Sequence, residues 1–197
     1  MEPTSAFILA GGKSIRMGRD KAFLELARKP LITRSLDLAR TVARDPRIVG
    51  DPEKFAPFGP VVPDVFPDRG PLGGIHAALT ASNTDWNLIL GVDLPFLKSE
   101  FLKYLVAEAQ SSGAVVTVPS TNQYFEPLCA VYRSEFRASA EAALSAGNNK
   151  IDALFSAVSL RVITAEDLAS AGFTPAIFRN LNTPEDWAGA NQEFASK

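Results

Sequence analysis

A loop rich in glycine and basic side chains follows the first apolar run of the chain. Ala6 to Ala10 is apolar, and the loop from Leu9 to Lys21 carries glycines together with the cations Lys13, Arg16, Arg19 and Lys21. Glycine lets a backbone approach a phosphate closely, and exposed N–H groups can form an anion-binding nest. The loop therefore predicts a polyphosphate ligand, although its spacing fits neither a P-loop nor the dinucleotide fingerprint. A solvated surface loop with ordinary glycine turns is the alternative.

A single carboxylate stands at the end of a second apolar run. Asn87 to Val92 is strongly apolar and leads directly into Asp93, with Leu94 and Pro95 behind it. A carboxylate beside buried backbone is costly unless it is paired or coordinates a cation. Magnesium is commonly held by one or two carboxylates plus substrate phosphates. Asp93 is thus a candidate magnesium ligand, and a helix or turn cap is the alternative.

A third polar segment combines acidic residues with a glycine-rich turn. Asp64, Asp68 and Arg69 precede the turn Gly70-Pro71-Leu72-Gly73-Gly74. A carboxylate here could accept the N1–H and N2–H₂ donors of guanine, a pattern that adenine and cytosine lack. A proline-rich surface loop with ordinary aspartate turns is the alternative.

Histidine and cysteine chemistry is almost excluded by composition. The chain has one histidine, His76, and one cysteine, Cys129, so no disulfide can form within it. We expect His76 to be a partly exposed helix residue rather than a phosphate contact, and Cys129 to be a core residue. An enzyme built from this sequence is therefore expected to need no imidazole.

The elements that must position these residues alternate between strand and helix. Strands are predicted at Ala6–Ala10, Arg47–Val49, Val61–Val62, Asn87–Val92, Ala114–Val118, Leu128–Tyr132 and Leu160–Ile163. Helices are predicted to start at Pro30 and Gly70, from about Glu100 to Gln110 with Ser99 as N-cap and Gly113 as terminator, near Glu135–Ala146 and Ile151–Ala157, and from Pro184 to about Phe194 with Thr183 as cap. Continuous apolar strands indicate burial on both faces. The fold class predicted is a doubly wound α/β sheet, mostly parallel, with helices on both faces.

Length and net charge limit which classes of protein this chain can belong to. The 197 residues are expected to form one domain over 1–197, with 46% hydrophobic residues and a net charge of −2. That charge argues against a nucleic-acid partner. No stretch approaches the length of a membrane span, and the first residues lack the basic start of a secretory signal. We expect a cytoplasmic protein.

Together the motifs resemble the molybdenum cofactor guanylyltransferases, within the wider nucleotidyltransferase fold that includes sugar-nucleotide pyrophosphorylases. The resemblance rests on the whole loop from Leu9 to Lys21, with its Leu-Ala-Gly-Gly start. It continues through Gly70–Gly74, Gly91–Phe96, Glu126–Tyr132 and Asn180–Asp186, so it spans nearly the whole chain. The family often has an asparagine after the second strand, whereas this chain has Gly50-Asp51.

The resemblance implies a role for each matching position. Leu9, Ala10 and Gly11 would contact the base and ribose by backbone, and Gly12 through Lys21 would wrap the triphosphate. Arg16 and Lys21 would be catalytic cations, Asp64 a nucleotide contact, and Asp93 the Mg²⁺ ligand. Asn180 and Asn182 would line the substrate side of the cleft.

The activity implied is transfer of GMP from GTP to the terminal phosphate of molybdopterin. A monomer is expected, with transient contact to proteins that deliver or accept the cofactor. Three alternatives stay open: a cytidylyltransferase, a sugar-1-phosphate nucleotidyltransferase, and a GTP-binding module without catalysis.

Overall fold

The computed structural model describes residues 2–11, 20–121, 124–181 and 183–195. Within these ranges the strands are β1 Thr4–Leu9, β2 Glu25–Leu26, β3 Lys29–Pro30, β4 Arg47–Val49, β5 Val61–Val62, β6 Trp86–Gly91, β7 Val116–Thr121, β8 Tyr124–Phe125, β9 Cys129–Arg133 and β10 Leu160–Ile163. The α-helices are α1 Leu31–Ala39, α2 Pro52–Phe55, α3 Gly70–Ala81, α4 Ser99–Ser112, α5 Phe136–Ser145, α6 Asp152–Phe155, α7 Ala165–Ser170 and α8 Pro184–Ala195.

The main sheet is mostly parallel, as predicted. Its strand order is β10-β7-β9-β6-β1-β4-β5, and the short strand β8 pairs with the carboxyl end of β7. β1 pairs in parallel with both β4 and β6, whereas β9 is antiparallel to β6 and to β7. Because β9 is antiparallel to both of these neighbours, β7 and β6 run in the same direction. The carboxyl ends of β1, β4, β5, β6 and β7 therefore share one edge of the sheet.

The first strand shows why both faces of the sheet are covered. Ala6 and Ile8 point into an apolar cluster that contains α1 and α4, while Phe7 and Leu9 point into a second cluster with α3 and α5. Alternate residues of a strand face opposite sides, so a continuous apolar run is buried on both. This confirms the doubly wound arrangement predicted from the apolar runs.

Cys129 lies in the core as expected, but the expectation of a partly exposed His76 is wrong. The relative exposure of His76 is 3%, because α3, which carries it, is buried along almost its whole length between the sheet and α5. The His76 ring packs edge-on against Phe66, with 5.0 Å between ring centroids. This burial disfavours a role in contacting phosphate.

The predicted N-cap of α4 is also wrong, although its terminator is right. The helix starts at Ser99 itself, Lys98 occupies the cap position, and the Ser99 hydroxyl donates to the Glu100 carboxylate at 3.0 Å. Gly113 ends the helix in the left-handed conformation, at φ 66°, which costs little without a Cβ.

The last helix starts as predicted, at a capping box. The Thr183 hydroxyl accepts from the N–H of Asp186 at 3.1 Å, and the Asp186 carboxylate accepts from the N–H of Thr183 at 2.8 Å. Two N–H groups at the helix start are thereby satisfied. The short hairpin of β2 and β3 was not predicted, because its turn uses Ala27 and Arg28 at positive φ instead of glycine or asparagine.

Candidate nucleotide-binding site

A cavity opens at the sheet edge where β1, β4 and β5 end. Its volume is about 620 Å³, within the usual range for small-molecule sites. Its wall is formed by Leu9, Ala10, Gly11, Asp20, Val49, Gly50, Asp51, Lys54, Phe55, Asp64, Asp68, Gly70, Pro71, Gly74 and Leu128. The loops after β1 and β5, which the sequence singled out separately, thus meet in one site.

The third singled-out segment lies beside this cavity. Leu9 pairs with Gly91 in the parallel register of β1 and β6, and the N–H of Val92 donates to the Leu9 carbonyl at 3.3 Å. Asp93 is the next residue. A Cβ on Gly91 would lie 3.1 Å from Asp93 Oδ1 and 3.4 Å from the Cβ of Leu128, which lines the cavity. The Asp93 carboxylate therefore stands next to the cavity wall.

Glycine at position 11 keeps the cavity open near Asp64. A Cβ on Gly11 would lie 3.7 Å from Asp64 Oδ2, so the bare backbone of Gly11 faces that carboxylate. Partial burial, together with the charge of Asp68, raises the pKa of Asp64 above the ordinary 3.8. Burial and the charge of Asp68 both disfavour the ionised form of Asp64, and hydrogen-bond donors from a ligand would stabilise that form.

Backbone pairing limits which main-chain atoms can reach a ligand. The N–H of Ala10 donates to the Val49 carbonyl at 3.0 Å, and the N–H of Gly50 donates to the Val62 carbonyl at 3.1 Å. Contacts from Ala10 or Gly50 to a base would therefore use their carbonyl oxygens. A Cβ on Gly50 would lie 3.1 Å from the Phe55 ring.

Lys54 is a wall residue that the sequence analysis missed, and it pairs with Asp20, which was included only as part of the loop from Leu9 to Lys21. Asp20 caps the 3₁₀ turn Lys21–Phe23 by accepting from the N–H of Ala22, and Lys54 lies 3.6 Å from its carboxylate. Lys54 belongs to α2, which starts at Pro52 with Asp51 as its N-cap. That Asp-Pro pair is a recognisable helix-start signal, although nothing in the sequence pairs Lys54 with Asp20.

Lys21 immediately follows Asp20, which places it beside the cavity but outside its wall. The other residues predicted to wrap the triphosphate, positions 12–19 with Gly12 and Arg16 among them, lie outside the described residues. The roles assigned to Lys21, Gly12 and Arg16 stay predictions.

Glu126 is a further carboxylate near Asp93. It is half-buried, and its Oε1 accepts a hydrogen bond from the Thr121 hydroxyl at 2.8 Å. Burial raises the pKa of Glu126, and the nearby charge of Asp93 adds to that shift. The sequence contained Glu126 in one of its motifs, but no local signal connected it with Asp93, which is far away along the chain.

A family profile described as "MobA-like NTP transferase domain" matches residues 6–162. The chain belongs to this family. A probable molybdenum cofactor guanylyltransferase of Pelotomaculum thermopropionicum is 35% identical over 188 residues, which cover 94% of this chain and 91% of that protein. A second, of Carboxydothermus hydrogenoformans, is 32% identical over the full length of both.

Solved structures agree with membership of the MobA-like NTP transferase family. The crystal structure of molybdopterin-guanine dinucleotide biosynthesis protein A from Archaeoglobus fulgidus has a TM-score of 0.85 and 27% identity, with coverage of 98% of this chain and 100% of that one. A 4-diphosphocytidyl-2C-methyl-D-erythritol synthase from Anaerococcus prevotii, at 15% identity and a TM-score of 0.71, shares the fold. The fold is thus that of a nucleotidyltransferase.

The donor set of this nucleotidyltransferase suits Mg²⁺ held partly by substrate. Among the described residues, no group of three or more His, Cys, Asp or Glu side chains could hold a metal ion alone. Asp93, with Glu126 close by, offers hard oxygen ligands, and Mg²⁺ usually takes one or two carboxylates plus phosphates. The residues present therefore fit the cation.

The structure describes only one of the two asparagines predicted to line the substrate side of the cleft. Asn180 is exposed and lies outside the wall of the cavity. Its neighbour Arg179 places its guanidinium carbon 3.9 Å from the centre of the Phe96 ring, in the loop after Asp93. Asn182 lies outside the described residues. No helix in the described part of the chain is long and apolar enough to cross a membrane.

Proposed function

We propose that this protein transfers GMP from GTP to the terminal phosphate of molybdopterin, forming molybdopterin guanine dinucleotide and pyrophosphate. The observation that carries the proposal is the cavity of about 620 Å³ beside Asp93, with Asp64 at its wall. Relatives named as molybdenum cofactor guanylyltransferases, matched over nearly their whole length, support it.

Guanine recognition follows from the acceptors around the cavity. Guanine presents N1–H and N2–H₂ as donors, and Asp64 offers a carboxylate whose pKa is raised by burial and by Asp68. Hydrogen bonds from guanine favour the ionised form and offset part of that cost. Ala10 and Gly50 also line the cavity, and their carbonyl oxygens would be further acceptors for the base, whereas their N–H groups already donate to Val49 and Val62.

The reaction needs alignment and charge neutralisation more than proton transfer. An oxygen of the molybdopterin phosphate forms a bond to the α-phosphorus of GTP, while the bond from that phosphorus to the bridging oxygen breaks and pyrophosphate leaves. A phosphate monoester has a second pKa of about 6, so the nucleophile is mostly dianionic at neutral pH. No general base is required, which suits a chain whose one histidine is buried.

Positive charge must offset the repulsion between the molybdopterin phosphate and the triphosphate of GTP. Lys21 and Arg16 would offset the charge of the triphosphate, and Asp93 with Glu126 would hold Mg²⁺. The cation, when bound, would neutralise phosphate charge that develops during transfer.

Pyrophosphate release separates this proposal from its alternatives. The purified protein is incubated with Mg²⁺, molybdenum-loaded molybdopterin and, in turn, GTP, CTP or ATP. Release that depends on the acceptor with GTP alone is the expected result. Release with CTP in place of GTP would replace the guanylyl by a cytidylyl transfer. GTP binding without any release would overturn the proposal and favour a sugar-phosphate acceptor or a binding module.

A further inference from the structure

The C-terminal helix α8 lies beyond residues 6–162, the range matched by the family profile. It nevertheless packs against a small apolar cluster, separate from the two clusters that cover the main sheet. The buried members are Leu26, Leu31, Leu181, Trp187 and Ala190, and Leu24, Val92, Phe96 and Phe194 pack against them. We call this set the C-terminal cluster.

One side of the C-terminal cluster is the segment that follows Lys21. The N–H of Leu24 donates to the Lys21 carbonyl at 3.1 Å, and the N–H of Leu31 donates to the Leu24 carbonyl at 3.1 Å. α8 also holds the turn of the β2–β3 hairpin, because the Asn191 side-chain oxygen accepts from the N–H of Ala27 at 3.0 Å. The position of Lys21 is therefore tied to α8 through Leu24 and the hairpin.

The other side of the C-terminal cluster is the loop that carries Asp93. Val92 and Phe96 flank Asp93 and both contact the cluster. The Phe96 ring lies 5.7 Å from the Phe194 ring between centroids, and Arg179 covers Phe96 at 3.9 Å. Arg179 is held in turn by the Glu193 carboxylate of α8 at 2.7 Å.

We propose that α8 acts as a clasp, in which Trp187 is a positioning residue that sets the Lys21 segment and the Asp93 loop at a fixed separation. The inference rests on the proposed function, since Lys21 and Asp93 are the groups it positions. In the described chain these two segments approach from different parts of the sequence, and Trp187 lies in the cluster that contacts both.

The proposal predicts that catalysis and binding of the guanine base respond differently to loss of the clasp. Misplacing reacting groups by about 1 Å can cost on the order of 10²-fold in rate. Leu9, Gly11, Gly50 and Asp64, which form the base end of the cavity, belong to no part of the C-terminal cluster. Loosening the clasp should therefore lower kcat and raise the Mg²⁺ concentration needed for half-activity, without weakening the binding of guanosine, which has no phosphate for Lys21 to contact.

The experiment compares Trp187→Ala with Trp187→Phe and with Ala188→Ser, an exposed position on the same helix. The indole N–H of Trp187 has no hydrogen-bond partner within the described residues, so phenylalanine keeps an apolar ring without breaking a bond. We expect kcat to fall about 10- to 100-fold in Trp187→Ala, to recover largely in Trp187→Phe, and to stay unchanged in Ala188→Ser. Titration calorimetry measures guanosine affinity, which should be the same in all variants.

Unchanged kcat and Mg²⁺ dependence in a folded Trp187→Ala variant would overturn the clasp, as would an equal loss of guanosine affinity. If Trp187→Ala does not fold, Phe194→Ala, at a half-buried position of the same cluster, decides between the same outcomes. A wild-type protein that releases no pyrophosphate would refute the proposed function. Normal wild-type activity with normal variants refutes only the clasp.

Discussion

The N–H of Val92 donates to the carbonyl oxygen of Leu9 at 3.3 Å, across the carboxyl ends of β6 and β1. Leu9 lines the candidate nucleotide cavity, and Val92 immediately precedes Asp93. This bond joins the start of the glycine-rich loop to the candidate Mg²⁺ ligand. The relationship depends on parallel pairing of two strands about 80 residues apart in the sequence.

Asp93→Ala should lower pyrophosphate release with GTP by about 10²-fold or more, the loss typical of a transition-state charge contact. The variant should also respond weakly to added Mg²⁺, because its main carboxylate ligand is gone. Steady-state rates across a Mg²⁺ titration measure both effects. Asp45→Asn, at an exposed surface position, is the matched control. Near-normal turnover in Asp93→Ala would remove Asp93 from the mechanism.

Lys21→Ala should reduce turnover by a similar factor of about 10², because the triphosphate and departing pyrophosphate lose a cation. Lys103→Ala removes an exposed lysine of α4 and should leave turnover unchanged. Rates at saturating GTP separate the chemical step from binding. A Lys21→Ala variant that changes only the KM for GTP would limit Lys21 to ground-state binding.

Asp64→Asn should weaken GTP binding by about 10-fold or more, the scale of one hydrogen bond to a charged group. In the wild type, the ionised carboxylate accepts from guanine, so affinity should fall as the pH drops through the pKa of Asp64. That pKa is raised above 3.8 by burial and by Asp68. Asp68→Asn should move the loss of affinity to lower pH. Calorimetric titrations across acidic pH test this, and identical pH profiles in wild type and Asp64→Asn would contradict the assignment.

Gly11→Ala should reduce nucleotide affinity without unfolding the protein. The added methyl would lie 3.7 Å from Asp64 Oδ2, which is an ordinary contact, but it would occupy the space between the backbone and the carboxylate. Gly59→Ala meets no atom within 4 Å and serves as control. Equal GTP affinity in the two variants would mean that the base does not approach Gly11.

The stability of the fold should fall as the pH drops below about 6.5, the ordinary value for histidine. Burial lowers the pKa of His76 in the folded protein, so the unfolded chain binds the proton first. Stability is therefore complete above the unfolded pKa and is lost as the pH falls toward the folded pKa. Urea unfolding at about pH 7.5 and about pH 5.5 measures the loss.

His76→Leu should remove most of this pH dependence, because His76 is the single histidine of the chain. Glu141→Gln should steepen the loss, since the Glu141 carboxylate, 3.9 Å from Nε2, raises the His76 pKa against the effect of burial. The same pH dependence in wild type and His76→Leu would assign it to other groups.

The sequence by itself determined the fold class and most of its elements. Continuous apolar runs such as Asn87 to Val92 predict strands buried on both faces, because a strand covered on one side alternates apolar and polar residues. Local signals also placed the ends of helices at Thr183 and Gly113. The predicted cap at Ser99 was wrong by one residue, because local signals locate the end of a helix only to within one or two positions.

Only the tertiary structure decided which distant residues meet. The pairing of Leu9 with Gly91, the contact of Lys54 with Asp20, the closeness of Glu126 to Asp93 and the burial of His76 all join segments without a shared local pattern. The C-terminal cluster likewise brings α8 together with Leu24 and with the loop that carries Asp93, and no local pattern connects these segments. Sequence periodicity records which face of an element is buried, whereas strand order and helix packing determine what that face touches.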